Sequence, residues 1–72
     1  MKYALGSRKV VISTFTGSKF TITDKNGEKL RSGTLGNTSY TINLTDTEKY
    51  PPGTYTFTIT CGEQSLSFNV VL

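Results

Sequence analysis

Residues 53–72 read Gly-Thr-Tyr-Thr-Phe-Thr-Ile-Thr-Cys-Gly-Glu-Gln-Ser-Leu-Ser-Phe-Asn-Val-Val-Leu. Tyr55, Phe57, Ile59 and Cys61 occupy every second position, and Thr54, Thr56, Thr58 and Thr60 stand between them. After Gly62-Glu63-Gln64 the alternation resumes with Leu66, Phe68, Val70 and Leu72. Successive side chains of a strand point to opposite faces, so each run presents one apolar and one hydroxyl-rich side. Two such runs joined by a short glycine-containing link predict a β-hairpin with one face buried and one in water. Tyr55, Phe57, Ile59, Cys61 and Phe68 are the expected structural residues of this hairpin.

The same rhythm extends backward along the chain. Tyr40, Ile42 and Leu44 alternate with Thr41 and Asn43, and Phe20 and Ile22 alternate with Thr21 and Thr23. Lys25-Asn26-Gly27-Glu28 follows, where Asn-Gly supplies the two left-handed positions of a tight turn. Lys29–Leu35 is the weakest strand, since Leu30 and Leu35 are out of phase; a bulge at Gly33 would place both leucines on one side. Val10–Thr16 is a β-branched strand with Val11 and Phe15 on one side and Val10 and Ile12 on the other. Such a strand either switches sheets or is covered on both faces. Residues 1–9 read as an N-terminal arm or short edge strand, and residues 10–72 as a single domain. In the loop Thr45–Pro52, Asp46 can cap one helical turn over Thr47-Glu48-Lys49, which Pro51-Pro52 forbids from continuing. About six to seven strands at intervals of roughly ten residues, with no helical period, predict an all-β antiparallel sandwich.

Composition narrows the function classes. A chain of 72 residues is near the size at which a single core barely suffices. It holds one cysteine, so no internal disulfide can help, and self-association or a partner surface is expected. With no histidine, no nucleophile elbow and no phosphate-cradling glycine loop, an enzyme is not expected. Neither a cofactor nor a metal site is expected: Asp24, Asn26 and Glu28 surround a turn with too few carboxylates for a calcium loop. Cys61, in phase with the core residues, reads as inert packing. Asn37-Thr38-Ser39 and Asn43-Leu44-Thr45 match the glycosylation acceptor pattern, but in so threonine-rich a chain they are taken as turn and strand residues. Met1-Lys2 opens onto no apolar run, which predicts neither a leader nor a membrane anchor.

The net charge of +3 is uneven, because Lys2, Arg8, Lys9, Lys19, Lys25, Lys29 and Arg31 crowd the first half. Nucleic-acid binding by stacking would need rings on the wet face. Phe20, Tyr40, Tyr55, Phe57 and Phe68 fall in the apolar phase and only Tyr3 and Tyr50 outside it, so a nucleic-acid partner is not expected.

The blocks Phe20–Leu30, Tyr40–Leu44 and Pro52–Ile59 resemble the immunoglobulin-like modules of secreted and surface proteins of Bacteroidetes, including their sorting domains. The resemblance covers Lys19 to Leu72 and implies an immunoglobulin-like sandwich in which Tyr55, at the Gly-Thr-Tyr corner, bonds back to upstream backbone. No Asn-Pro opens the module and no lysine sits near its end, which separates it from the sorting domains. A free-standing sandwich of this kind also looks like the small immunoglobulin-like decoration proteins of phage capsids. That likeness implies a non-enzymatic structural protein at the virion surface with a capsid protein as partner and homo-oligomerisation possible. The alternative implied is an adhesion or scaffolding module at the bacterial surface or secreted. The expected contact residues are Lys2, Tyr3, Arg8, Lys9 and Val11, with Val10–Thr16 serving as an open sheet edge.

Overall fold

A computed structural model describes residues 1–72 and contains seven strands. They are β1 (Lys2–Gly6), β2 (Lys9–Ser13), β3 (Lys19–Thr23), β4 (Lys29–Thr34), β5 (Ser39–Asn43), β6 (Thr54–Cys61) and β7 (Gln64–Val71). All pairings are antiparallel, in one sheet of order β1-β2-β5 and another of order β4-β3-β6-β7. This is a small antiparallel β-sandwich. Its fourth strand pairs with β3, whereas in constant-type immunoglobulin domains the fourth strand joins the sheet of the first, second and fifth. No helix is long and apolar enough to cross a membrane.

The β6–β7 hairpin has the register its alternation requires. Tyr55 pairs with Val70, Phe57 with Phe68 and Ile59 with Leu66 on the inner face, while Thr56 pairs with Asn69 and Thr58 with Ser67 on the outer face. Gly62, at φ 62°, is the first central residue of the two-residue turn, the position that favours glycine in a hairpin of this hand. β3 continues the inner face with Phe20 opposite Ile59 and Ile22 opposite Phe57. From the other sheet, Val10, Ile12 and Ile42 complete the core, together with Leu35, Leu44 and Tyr50 from the connections.

Five local expectations are corrected. The turn after β3 uses one left-handed residue, Gly27 (φ 81°), because Asp24 Oδ1 accepts the N–H groups of Asn26 and Glu28, and Asp24 O accepts that of Gly27. That is a three-residue hairpin loop closed by glycine, which leaves Asn26 in ordinary backbone. The bulge of β4 lies at Leu30, since the register steps from Ile22–Arg31 to Thr23–Lys29. Gly33 instead sits opposite Phe20, where a Cβ would come 2.9 Å from the ring. β2 is an interior strand between β1 and β5, not an open edge, because residues 2–6 form a true hairpin with it. Phe15 lies beyond the end of β2 and is 67% exposed; its carbonyl accepts the N–H and hydroxyl of Ser18 as the chain turns toward β3. Tyr50, outside every alternating run, is buried in the core.

Two connections close the ends of the sandwich. Gly17 N–H donates to Leu35 O and Leu35 N–H to Ser18 O, joining the β2–β3 and β4–β5 crossings. At the other end Asp46 Oδ1 accepts the N–H groups of Glu48 (3.0 Å) and Lys49 (3.3 Å), and Tyr50 N–H reaches Asp46 O, forming the single capped turn before Pro51.

Candidate functional site

The five N-terminal residues expected to meet a partner separate into three environments. Lys2, Lys9 and Val11 share the outer face of the β1-β2-β5 sheet, because Lys2 pairs with Ser13, Ala4 with Val11 and Gly6 with Lys9. The two exposed lysines thus frame a low centre of Ala4 and half-buried Val11, flanked on β5 by Ser39, Thr41 and Asn43. Small side chains on a three-stranded sheet give a shallow, nearly flat surface with positive charge at its margins.

Tyr3 points to the opposite face. It pairs with Ile12, whose side chain is fully buried, and its ring stacks on Phe68 at a centroid distance of 3.7 Å and an interplanar angle of 4°. Offset or stacked aromatic pairs add to area burial, so Tyr3 fastens β1 across to β7 rather than reaching outward.

Arg8 is set apart from the lysines and acts as an internal strap. It occupies the second position of the β1–β2 turn at φ 48°, a left-handed conformation that disfavours any residue with a Cβ. Its guanidinium donates to Leu44 O (2.9 Å) and Tyr50 O (3.2 Å), and its own carbonyl accepts Leu44 N–H at 2.8 Å. A half-buried cation committed to two carbonyls has little left for a partner.

In the β6–β7 hairpin, Tyr55, Phe57, Ile59 and Phe68 are core residues, and the Tyr55 hydroxyl donates to Pro51 O. The expectation that Cys61 packs inertly in the core is corrected: it is the last residue of β6, is partly exposed and is not part of the core cluster. The outer face of this sheet is lined by threonine and serine, and some of these hydroxyls bond within the sheet. Thr58 and Ser67 hydroxyls bond each other at 3.1 Å, and Thr56 Oγ1 donates to Asn69 Oδ1 at 3.2 Å.

Concave chemistry is modest. An open groove of about 380 Å³ lies between the β3–β4 turn and the 45–53 loop, lined among others by Lys25, Asn26, Lys49 and Pro52. Of the two acids that line it, Asp24 already accepts turn N–H groups, and Glu48 is exposed in the 45–53 loop. No three His, Cys, Asp or Glu side chains come together in a way that could hold a metal. Rings in water are few: Tyr50 is buried edge-on to Tyr55 (6.1 Å, 80°), Tyr3 is stacked, and Phe15 stands alone.

Sequence reasoning missed the Arg8 strap, which has no local signature. It also missed the flank on which β1 and β7 lie side by side, where the Tyr3–Phe68 stack joins two strands far apart in sequence. No protein-family model matches the chain, and comparison with curated proteins finds none similar to it.

Proposed function

We propose that this chain is a non-enzymatic structural protein that docks on a protein assembly through the outer face of its β1-β2-β5 sheet. The observation carrying the reading is the convergence of Lys2, Ala4, Lys9 and Val11 on one flat, exposed face. Long-range attraction from the lysines orients an acidic partner surface, and the small apolar centre permits close approach. The opposite outer face also carries two lysines, Lys19 and Lys29, but its centre is lined by threonine and serine hydroxyls rather than by a small apolar patch. The likeness to capsid decoration proteins supports a regularly repeated capsid protein as the partner and the virion surface as the location. A surface or secreted adhesion module would use the same face on a different partner.

Lysine cross-linking of the protein in its native assembly, followed by mass spectrometry, tests this. Cross-links from Lys2 and Lys9 to a second polypeptide are expected, and their loss with Lys2→Glu/Lys9→Glu should accompany release from the assembly. Cross-links confined to Lys19, or a double variant that stays bound, would contradict the docking face.

A further inference from the structure

The sandwich has four free strand edges, β1, β5, β4 and β7, and three of them carry features that discourage pairing with another chain. β4 has Lys29, Arg31 and a bulge at Leu30. β1 is five residues long and begins with Lys2. β5 is also five residues long and is strapped to β4 by Arg31, whose Nη2 donates to the Tyr40 hydroxyl at 3.0 Å. β7 has no such protection: its eight residues, Gln64–Val71, include no charge and no proline, and its register against β6 is unbroken. Natural edge strands normally carry one of these devices.

The hydrogen-bond parity of β7 shows what its edge presents. Gly53 and Leu72 exchange both backbone bonds, so the even-numbered residues of β7 face β6. The N–H and C=O groups of Ser65, Ser67, Asn69 and Val71 therefore point outward along the free edge. Exposed apolar side chains occur on both strands, with Val71 on the outer face of β7 and Tyr3 and Leu5 on the inner side of β1. Apart from Phe15, the exposed large hydrophobics are Met1, Tyr3 and Leu5, in or beside β1, and Val71 on β7, and the Tyr3–Phe68 stack places the two strands together.

We infer that β7 pairs antiparallel with β7 of a second copy, joining two four-stranded sheets into one continuous sheet. A two-fold axis at Phe68 sets Ser67 against Asn69 of the other copy and Ser65 against its Val71. All the outward groups of those residues are then satisfied reciprocally, and Phe68 faces its own counterpart on the inner side. A second copy is the fitting occupant because the edge is neutral and self-complementary in this register, so a chain of net charge +3 meets its like without opposing charges at the contact. The paired edge is on the Tyr3 side of β1, opposite the Lys2–Lys9 face, and goes beyond the docking reading.

The register makes the test specific. Sedimentation equilibrium of the full chain should give twice the monomer mass at high protein concentration. Ser67→Glu/Asn69→Glu, which sets carboxylates against one another across the axis, should return the monomer mass. Ser67→Glu/Asn69→Lys, which sets opposite charges there, should restore the dimer; near-UV circular dichroism checks that both variants are folded. In the wild type, the Ser67 and Asn69 amides should exchange with solvent more slowly as protein concentration rises. A monomer at every concentration, an unchanged dimer in the double-glutamate variant, or concentration-independent exchange at those amides would overturn the inference. Lys2→Glu/Lys9→Glu should leave the dimer mass unchanged, so failure of the docking reading and failure of this one are separable.

Discussion

Removing the Arg8 side chain should destabilise the fold substantially, because it works between the hairpin that carries β1 and the loop that carries Tyr50. Its guanidinium bonds Leu44 O at 2.9 Å and Tyr50 O at 3.2 Å. Bonds involving a charged group contribute about 1.5–3 kcal/mol each at full strength. The second is long and the site is only half-buried, so about 2–3 kcal/mol for the two together is reasonable. Arg8→Ala should lose that amount while keeping the unfavourable φ of 48°. Arg8→Gly relieves roughly 1–2 kcal/mol of left-handed strain. It also frees the unfolded chain at a cost of about 0.4–1 kcal/mol. Glycine should therefore be the milder substitution, by roughly 0.5–1 kcal/mol. In urea, Arg8→Ala should lower the midpoint by about 2 M if the slope is about 1–1.5 kcal/mol per M, with the slope itself unchanged. An Arg8→Ala midpoint within error of wild type would refute the reasoning and return Arg8 to the surface as a free contact. Equal stability of the alanine and glycine variants would refute the strain at that turn.

Other substitutions follow from single contacts. Gly33→Ala places a Cβ 2.9 Å from Phe20 Cε1, an overlap expected to cost about 1–3 kcal/mol, more than the ~0.4–1 kcal/mol gained by stiffening the unfolded chain. The thermal midpoint should fall, and in a Phe20→Leu background the same change should be neutral or favourable; a stabilised Gly33→Ala single variant would contradict the contact. Tyr50 buries its hydroxyl without a hydrogen-bond partner, so Tyr50→Phe should be neutral or stabilising by about 1 kcal/mol. Tyr55→Phe loses the bond to Pro51 O and should destabilise by about 0.5–1.5 kcal/mol. Opposite signs for these two tyrosines in one urea series are the expected outcome, and matching losses would show that Tyr50 has a partner after all.

The alternating segments were readable because burial of one face fixes register: shifting Phe57 by one residue would send it into water with its neighbours. Positions outside that period were not. Tyr50 lies in a loop, and it is drawn inward by the Asp46 turn and the Arg8 strap, contacts separated by up to 42 residues. Gly33 looks like a bulge residue, yet its role is to leave space for Phe20, which only the β3–β4 register reveals. Residues 2–6, Lys-Tyr-Ala-Leu-Gly, have mixed strand propensity and all remain exposed, so local sequence could not separate an arm from a strand. That ambiguity made β2 look like an edge. The shared face of Lys2, Lys9 and Val11 emerges only once β1 is paired, and the same pairing turns Tyr3 away from it.

The docking face therefore stands or falls with the β1–β2 ladder, and amide hydrogen exchange of the dilute protein tests that ladder residue by residue. Leu44 N–H reaching Arg8 O and Thr14 N–H reaching Thr38 O fix Val10 and Ile12 as the residues bonded to β5. Lys9, Val11 and Ser13 are then bonded to β1. Val11 and Ser13 amides should exchange as slowly as those of Val10 and Ile12. Fast exchange at Val11 and Ser13 alone would mean that residues 2–6 do not pair, that β2 is an edge, and that Lys2 and Lys9 do not share a surface.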